Sequence, residues 1–195
     1  MSNSHRLLAV SVAVMWGLNF LAIHASLEQF PPFLCVALRW TLLAIPAILF
    51  VPRPRVPLRW LLGYGIGFGI LQFVFLYWAM AAGMPTGLAS LVLQSSAPFT
   101  VLLGAVLLRE RLAPIAIVGA LIAVGGLALV GSQRADGATG WPFLLTVFGG
   151  FGWALGNLAS RQAKPRNALH LTMWMSVVPP LPMFALSYVV EGPAA

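Results

Sequence analysis

Seven apolar stretches, at residues 7–26, 33–51, 60–83, 86–108, 112–130, 141–160 and 168–190, decide what solvent this chain is built for. Each is close to the ~20 residues that a helix needs to cross about 30 Å of hydrocarbon at roughly 1.5 Å per residue. The expected fold is therefore an all-α, polytopic membrane helix bundle with seven transmembrane helices. The basic residues between the stretches add a direction. Arg6 precedes the first; Arg53, Arg55 and Arg59 follow the second; Arg109 and Arg111 follow the fourth; Arg161, Lys164 and Arg166 follow the sixth. The opposite loops hold Arg134 alone, while Arg39 lies inside a stretch. Nine cations against one is the asymmetry that sets cytoplasmic loops, so the expected N-terminus is cytoplasmic and the expected C-terminus, after an odd number of crossings, is external to an inner (cell) membrane.

Composition narrows the function classes. Charged residues make up 8% of the chain and hydrophobic ones 60%, far from the roughly 25% charged of a soluble domain. The net charge of +7 and the pI of about 11.2 are spread over short loops, with no basic helix face or aromatic interleaving to follow a phosphate backbone. No nucleic-acid partner is expected, and anionic membrane lipid accounts for the charge. Cys35 is the sole cysteine, so there is no disulfide framework. His5, His24 and His170 sit on separate segments without metal-ligand spacing, and neither metal nor cofactor is expected. The N-terminal run resembles a secretory signal only superficially. It is too long for a signal core, contains Trp16 and Asn19, and is followed directly by further spans.

The least apolar internal stretch, 132–140, separates five spans from two and divides the chain at 134/135. A faint repeat crosses it. The first span reads Trp16-Gly17-Leu18-Asn19 and the sixth Trp153-Ala154-Leu155-Gly156-Asn157, each with a Trp followed one turn later by an Asn. The prolines Pro179, Pro180 and Pro182 of the seventh echo Pro46 of the second. Five spans per copy is an odd number, so a second copy enters the membrane inverted. Inverted repeats are a recurrent route to alternating access around a midplane site.

The run Trp16-Gly17-Leu18-Asn19-Phe20, then Phe30-Pro31-Pro32-Phe33 and Ala37-Leu38-Arg39-Trp40, resembles the opening of EamA-type transporters of the drug/metabolite transporter superfamily. The stretch from Gly83-Met84-Pro85-Thr86 to Gln94, followed by Pro98-Phe99 and Arg109-Glu110-Arg111-Leu112, extends the resemblance. In detail it is most similar to the branch that exports cysteine and O-acetylserine. The resemblance implies ten helices in two inverted repeats of five. Residues 1–134 then form a first repeat and residues 135–195 a partial second one of two helices, with three C-terminal helices missing or a homo-oligomer standing in for them. A truncated chain of this kind is expected to be less stable than a ten-helix form and not to transport by itself.

Polar side chains at mid-span are the natural site candidates, because each needs a partner in hydrocarbon. They are Asn19, Arg39, Gln72, Ser90, Gln94, Ser95, Ser96, Trp153 and Asn157. Trp16 with Asn19, Ser90 with Gln94, and Trp153 with Asn157 share helix faces by their spacing. Two roles stay open for Asn19, Gln94 and Asn157: lining a cavity for a small zwitterion walled by Trp rings, or bonding between helices that happen to touch. For Gln72, Ser95 and Ser96 the simpler expectation is structural bonding. Arg39 lies about 9 Å inside the external end of its span by helical rise. It either anchors a substrate carboxylate or, more simply, pairs with Glu28 or backbone carbonyls. The expected substrate-binding set is Trp16, Asn19, Arg39, Gln94, Trp153 and Asn157.

No Asp or Glu falls within a span, which weighs against proton-driven export of cations by a buried carboxylate. Glu110 reads as a cytoplasmic ion pair or cap. The pairs Gly63/Gly67, Gly65/Gly69 and Gly152/Gly156, each four apart, permit close helix approach without choosing a partner. Pro46, Pro98 and Pro179 are expected to kink their helices. The leading function is a non-enzymatic secondary transporter exporting small metabolites, with amino acids such as cysteine or O-acetylserine as cargo. The alternatives are a non-transporting membrane scaffold and, more remotely, an intramembrane hydrolase using Ser90 and His170. No Gly-x-Ser-x-Gly elbow supports the hydrolase, and the two residues belong at different depths.

Overall fold

The computed structural model describes residues 3–132 and 140–193. It holds seven helices long and apolar enough to span a membrane: α1 (Asn3–Leu27), α2 (Pro32–Phe50), α3 (Leu58–Ala81), α4 (Thr86–Leu108), α5 (Pro114–Ser132), α6 (Gly140–Ala163) and α7 (Ala168–Val190). The described residues contain no strand, so the protein is an all-α polytopic membrane bundle. Arg134, Asp136 and the boundary expected at 134/135 lie outside the described residues.

Three helices depart from regular winding. Pro98 has no N–H for the carbonyl of Gln94, and α4 tightens to a 3₁₀ turn at Leu93–Ser95 just before it. In α7, the α-helical pieces Ala168–Met175 and Pro180–Val190 are separated where consecutive prolines 179 and 180 withhold two donors. The expected kink sites Pro98 and Pro179 are thus real interruptions, whereas α2 stays helical through Pro46. The third departure was not expected. Gly65–Leu71 of α3 forms a π-helix, closed by the Gln72 N–H donating to the Gly67 carbonyl five residues back.

Glycines explain why that segment can pack so tightly, and the interleaved pairs of α3 choose different neighbours. A Cβ on Gly67 would sit 2.5 Å from the Gly156 nitrogen and 2.9 Å from the Gly152 carbonyl oxygen. Reciprocally, a Cβ on Gly156 would sit 2.7 Å from the Phe68 nitrogen. Backbone therefore lies on backbone between α3 and α6, as small residues allow where lipid provides no hydrophobic drive. Gly65 and Gly69 instead face the break in α7, where added Cβ atoms would lie 2.5 Å from Val178 and 2.5 Å from Pro179. Helix α6 thereby becomes the central element, packed along α3 and α4. Helix α5 buries none of its residues.

Long-range polar contacts fasten the ends. At one end of the bundle Trp174 Nε1 donates to the Val51 carbonyl (2.8 Å), tying α7 to the end of α2, and Arg161 pairs with Glu110. At the other end the Glu191 carboxylate accepts from Phe33 N (2.6 Å), Leu34 N (3.0 Å) and the Ser187 hydroxyl (2.6 Å). It satisfies two donors of the first turn of α2 and complements the positive end of its dipole. Helix α2, which carries Arg39, is clamped to α7 at both ends.

Candidate functional site

Arg39 projects from α2 toward α1 and α3. Its Nη1 donates to Asn19 Oδ1 (2.9 Å), and its guanidinium carbon lies 4.9 Å from the centre of the Phe73 ring. A desolvated cation–π contact of this kind contributes about 2 kcal/mol, well short of what a buried charge costs. The expected Glu28 partner is not there. Glu28 lies one turn from His24, with 3.6 Å between the His24 Nδ1 and its carboxylate, because both stay at the exposed end of α1. Among the described residues no carboxylate pairs with Arg39, and its Nε is buried without any hydrogen-bond partner.

Two further polar atoms beside it are in the same condition: Trp40 Nε1 and Gln72 Oε1. Each residue is 3% exposed. Leaving a buried donor or acceptor unmade costs roughly 1–3 kcal/mol, so three of them on one wall need a reason. The wall belongs to a cavity of about 280 Å³ lined by Asn19, Arg39, Trp40, Gln72 and the rings of Trp16 and Phe68. Trp16, Phe20 and Leu93 also line an adjoining, larger cavity of about 580 Å³, which takes in Ser90, Gln94 and Trp153. Rings form the partition between them. Trp16 and Trp153 lie 5.0 Å apart at 54°, Trp153 and Phe68 5.7 Å apart, and Phe68 and Phe73 5.9 Å apart. Arg39 also borders an outer cavity of about 450 Å³ with Tyr77 and Cys35.

Of the six residues expected at the site, Trp16, Asn19, Arg39, Gln94 and Trp153 line these two adjoining cavities. Asn157 is directed elsewhere. Its Nδ2 donates to Thr100 Oγ1 (3.2 Å), bonding α6 to α4, although the four-residue spacing keeps it near the Trp153 face. The structural bonding expected of Gln72 and Ser95 is absent, since neither Gln72 Oε1 nor Ser95 Oγ has a partner. Ser95 Oγ is pressed against α6, where a Cβ on Gly150 would approach it to 2.1 Å. Gln72 enters the cavity because the π-helical turn rotates the remainder of α3 relative to its first turns. Its backbone is also held against α6, with added Cβ atoms on Gly149 and Gly152 3.2 Å from its carbonyl oxygen and 2.9 Å from its nitrogen. The available sequence signal was the glycine run that ends just before the lone amide of α3.

Ser90 donates to the Gly87 carbonyl of its own helix (2.8 Å), and the His170 N–H is capped by Asn167 at the start of α7. Among the described residues no hydrogen bond joins Ser90 to His170.

The model of the EamA-like transporter family matches residues 4–132, from α1 through α5. A protein of Escherichia coli (strain K12) named "Probable amino-acid metabolite efflux pump" is 40% identical over 200 residues, covering 100% of this chain and 67% of that protein. Its namesake in Salmonella typhimurium (strain LT2) is 44% identical over 198 residues, covering 98% of this chain and 66% of that one. The chain thus spans about two thirds of the length of these curated relatives. A solved structure described only as "Crystal structure of protein" shares the fold, with a TM-score of 0.56 and 23% identity over 95% of this chain and 69% of that one. With a family match over α1 to α5 and relatives at this identity, the chain belongs to the EamA-like transporter family.

Proposed function

We propose that this chain carries the substrate path of a secondary transporter that exports small metabolites, with amino acids such as cysteine or O-acetylserine as the cargo. The observation that carries the reading is Arg39: a cation inside a span, without a carboxylate among the described residues, on the wall of a ring-lined cavity. In hydrocarbon such a charge is maintained only where it has work or a partner, and a substrate carboxylate supplies one. The relatives' names, which refer to amino-acid metabolite efflux, support the same class.

Movement is by alternating access between inverted repeats, with residues 1–134 as the first and residues 135–195 as the start of the second. Two features support this. Trp16 and Trp153, the echoed residues of α1 and α6, meet at 5.0 Å, as symmetry mates do beside a pseudo-two-fold axis. Trp40 and Trp174 each stand six residues before a proline, Pro46 and Pro180. The Arg-rich loops face the cytoplasm, putting the N-terminus inside and the end of α7 outside. The apolar faces of α1 and α5 are covered by further helices or by a second copy.

Reconstitution into proteoliposomes with labelled cysteine and O-acetylserine tests the reading, in this chain and in a longer chain carrying it. Saturable movement that is lost in Arg39→Leu is the expected result. Saturable movement that survives Arg39→Leu unchanged would overturn the role of Arg39.

A further inference from the structure

We propose that Arg39 Nε, Trp40 Nε1 and Gln72 Oε1 form a head-group subsite for the zwitterion of an α-amino acid. The two N–H groups take the carboxylate and the amide oxygen takes the ammonium. The inference rests on the reading of the cavity as a substrate path and goes beyond it by assigning atoms, two of them on residues outside the expected site set.

The pattern of unmet bonds carries the assignment. Arg39, Trp40 and Gln72, which line one cavity, carry two buried donors and one buried acceptor without partners, and one of the donors belongs to a cation without a counter-ion among the described residues. A candidate occupant must therefore bring negative charge to Arg39 and a donor to Gln72. An organic cation is repelled by Arg39. A neutral polyol leaves the guanidinium uncompensated. A dicarboxylate neutralises Arg39 and sets acceptor against acceptor at Gln72. A zwitterion meets all three requirements with its two ends. Indole and amide are held rigidly for this: Trp40 packs edge-on against Phe73 (5.0 Å) and Phe68 (6.3 Å), and the backbone of Gln72 is wedged against the glycines of α6. The adjoining cavity of about 580 Å³, with Ser90 and Gln94 in its wall, receives the side chain of the amino acid. Head-group recognition is then strict while side-chain recognition is permissive, because the buried atoms without partners belong to residues of the smaller cavity.

Calorimetric titration of the purified full chain tests this with four probes: L-cysteine, its methyl ester, N-acetyl-L-cysteine and cysteamine. The first has both charged groups; the second lacks the carboxylate, the third the ammonium, and the fourth the carboxylate by decarboxylation. L-cysteine should bind about tenfold or more tighter than each of the others, since each analogue loses one charged end of the zwitterion and with it a charge-assisted bond. Gln72→Leu should erase the preference over N-acetyl-L-cysteine and keep that over the methyl ester, Trp40→Phe should reduce the preference over the methyl ester, which Arg39 still supports, and keep that over N-acetyl-L-cysteine, and Gln72→Glu should retain the preference for a free ammonium. If L-cysteine binds but the methyl ester binds equally well, or both variants weaken all four probes alike, the subsite is wrong and the substrate path stands. If the wild-type chain binds none of the four, both fail together. Should a variant not fold, the wild-type probe series still decides.

Discussion

Gly67→Ala isolates the contact on which the bundle's centre depends. The new methyl would lie 2.5 Å from the Gly156 nitrogen, 2.9 Å from the Gly152 carbonyl oxygen and 3.0 Å from Gly156 Cα. All three are backbone atoms, so no rotamer change relieves the clash. Helix α3 would have to move about 1 Å from α6 to restore an ordinary separation of ~3.5 Å. Overpacking of this kind costs typically about 1–3 kcal/mol, against at most about 1 kcal/mol recovered from the better helix propensity of alanine. The expected net loss is about 1–2 kcal/mol. Gly119→Ala in α5 is the control, since a Cβ there meets nothing within 4 Å, and it should be neutral or slightly stabilising. Unfolding of both variants in mixed micelles, followed by circular dichroism against denaturing detergent, measures the difference. If Gly67→Ala unfolds at the same detergent fraction as Gly119→Ala, α3 and α6 do not touch as described and the packing argument is refuted.

Arg39→Leu should separate function from stability: removing an uncompensated cation leaves unfolding unchanged or later, while calorimetric L-cysteine binding falls about tenfold or more. Asn19→Leu should do the opposite to stability, losing roughly 1–3 kcal/mol in the same unfolding assay because Arg39 Nη1 loses its acceptor. Asn157→Leu should cost about 0.6–2 kcal/mol through its bond to Thr100 and leave the ranking of the four calorimetric probes intact; a changed ranking would return Asn157 to the site. Glu191→Ala should cost about 1–3 kcal/mol by uncapping α2, and Glu191→Gln less, since its amide oxygen still accepts; unchanged unfolding of Glu191→Ala would show that the cap contributes nothing.

Hydrocarbon as solvent made much of this protein readable from one dimension. The apolar runs marked the seven helices to within a few residues, and the prolines 98 and 179 marked two interruptions, because length, hydropathy and a missing N–H are local properties. Asn19, Arg39, Gln94 and Trp153 stood out as polar residues within spans, with Trp16 on the Asn19 face, and all five line adjoining cavities. Partner choice was a different matter. Lipid is as apolar as the helix faces, so hydropathy says nothing about which faces meet. Only the tertiary structure assigned Gly67 to α6 and Gly65 to α7, sent Asn157 to Thr100, and left Arg39 without Glu28. The π-helical turn at Gly65–Leu71 is the clearest case. It coincides with the stretch where backbone packs on backbone between α3 and α6, and it shifts the helical register that brings Gln72 to the cavity.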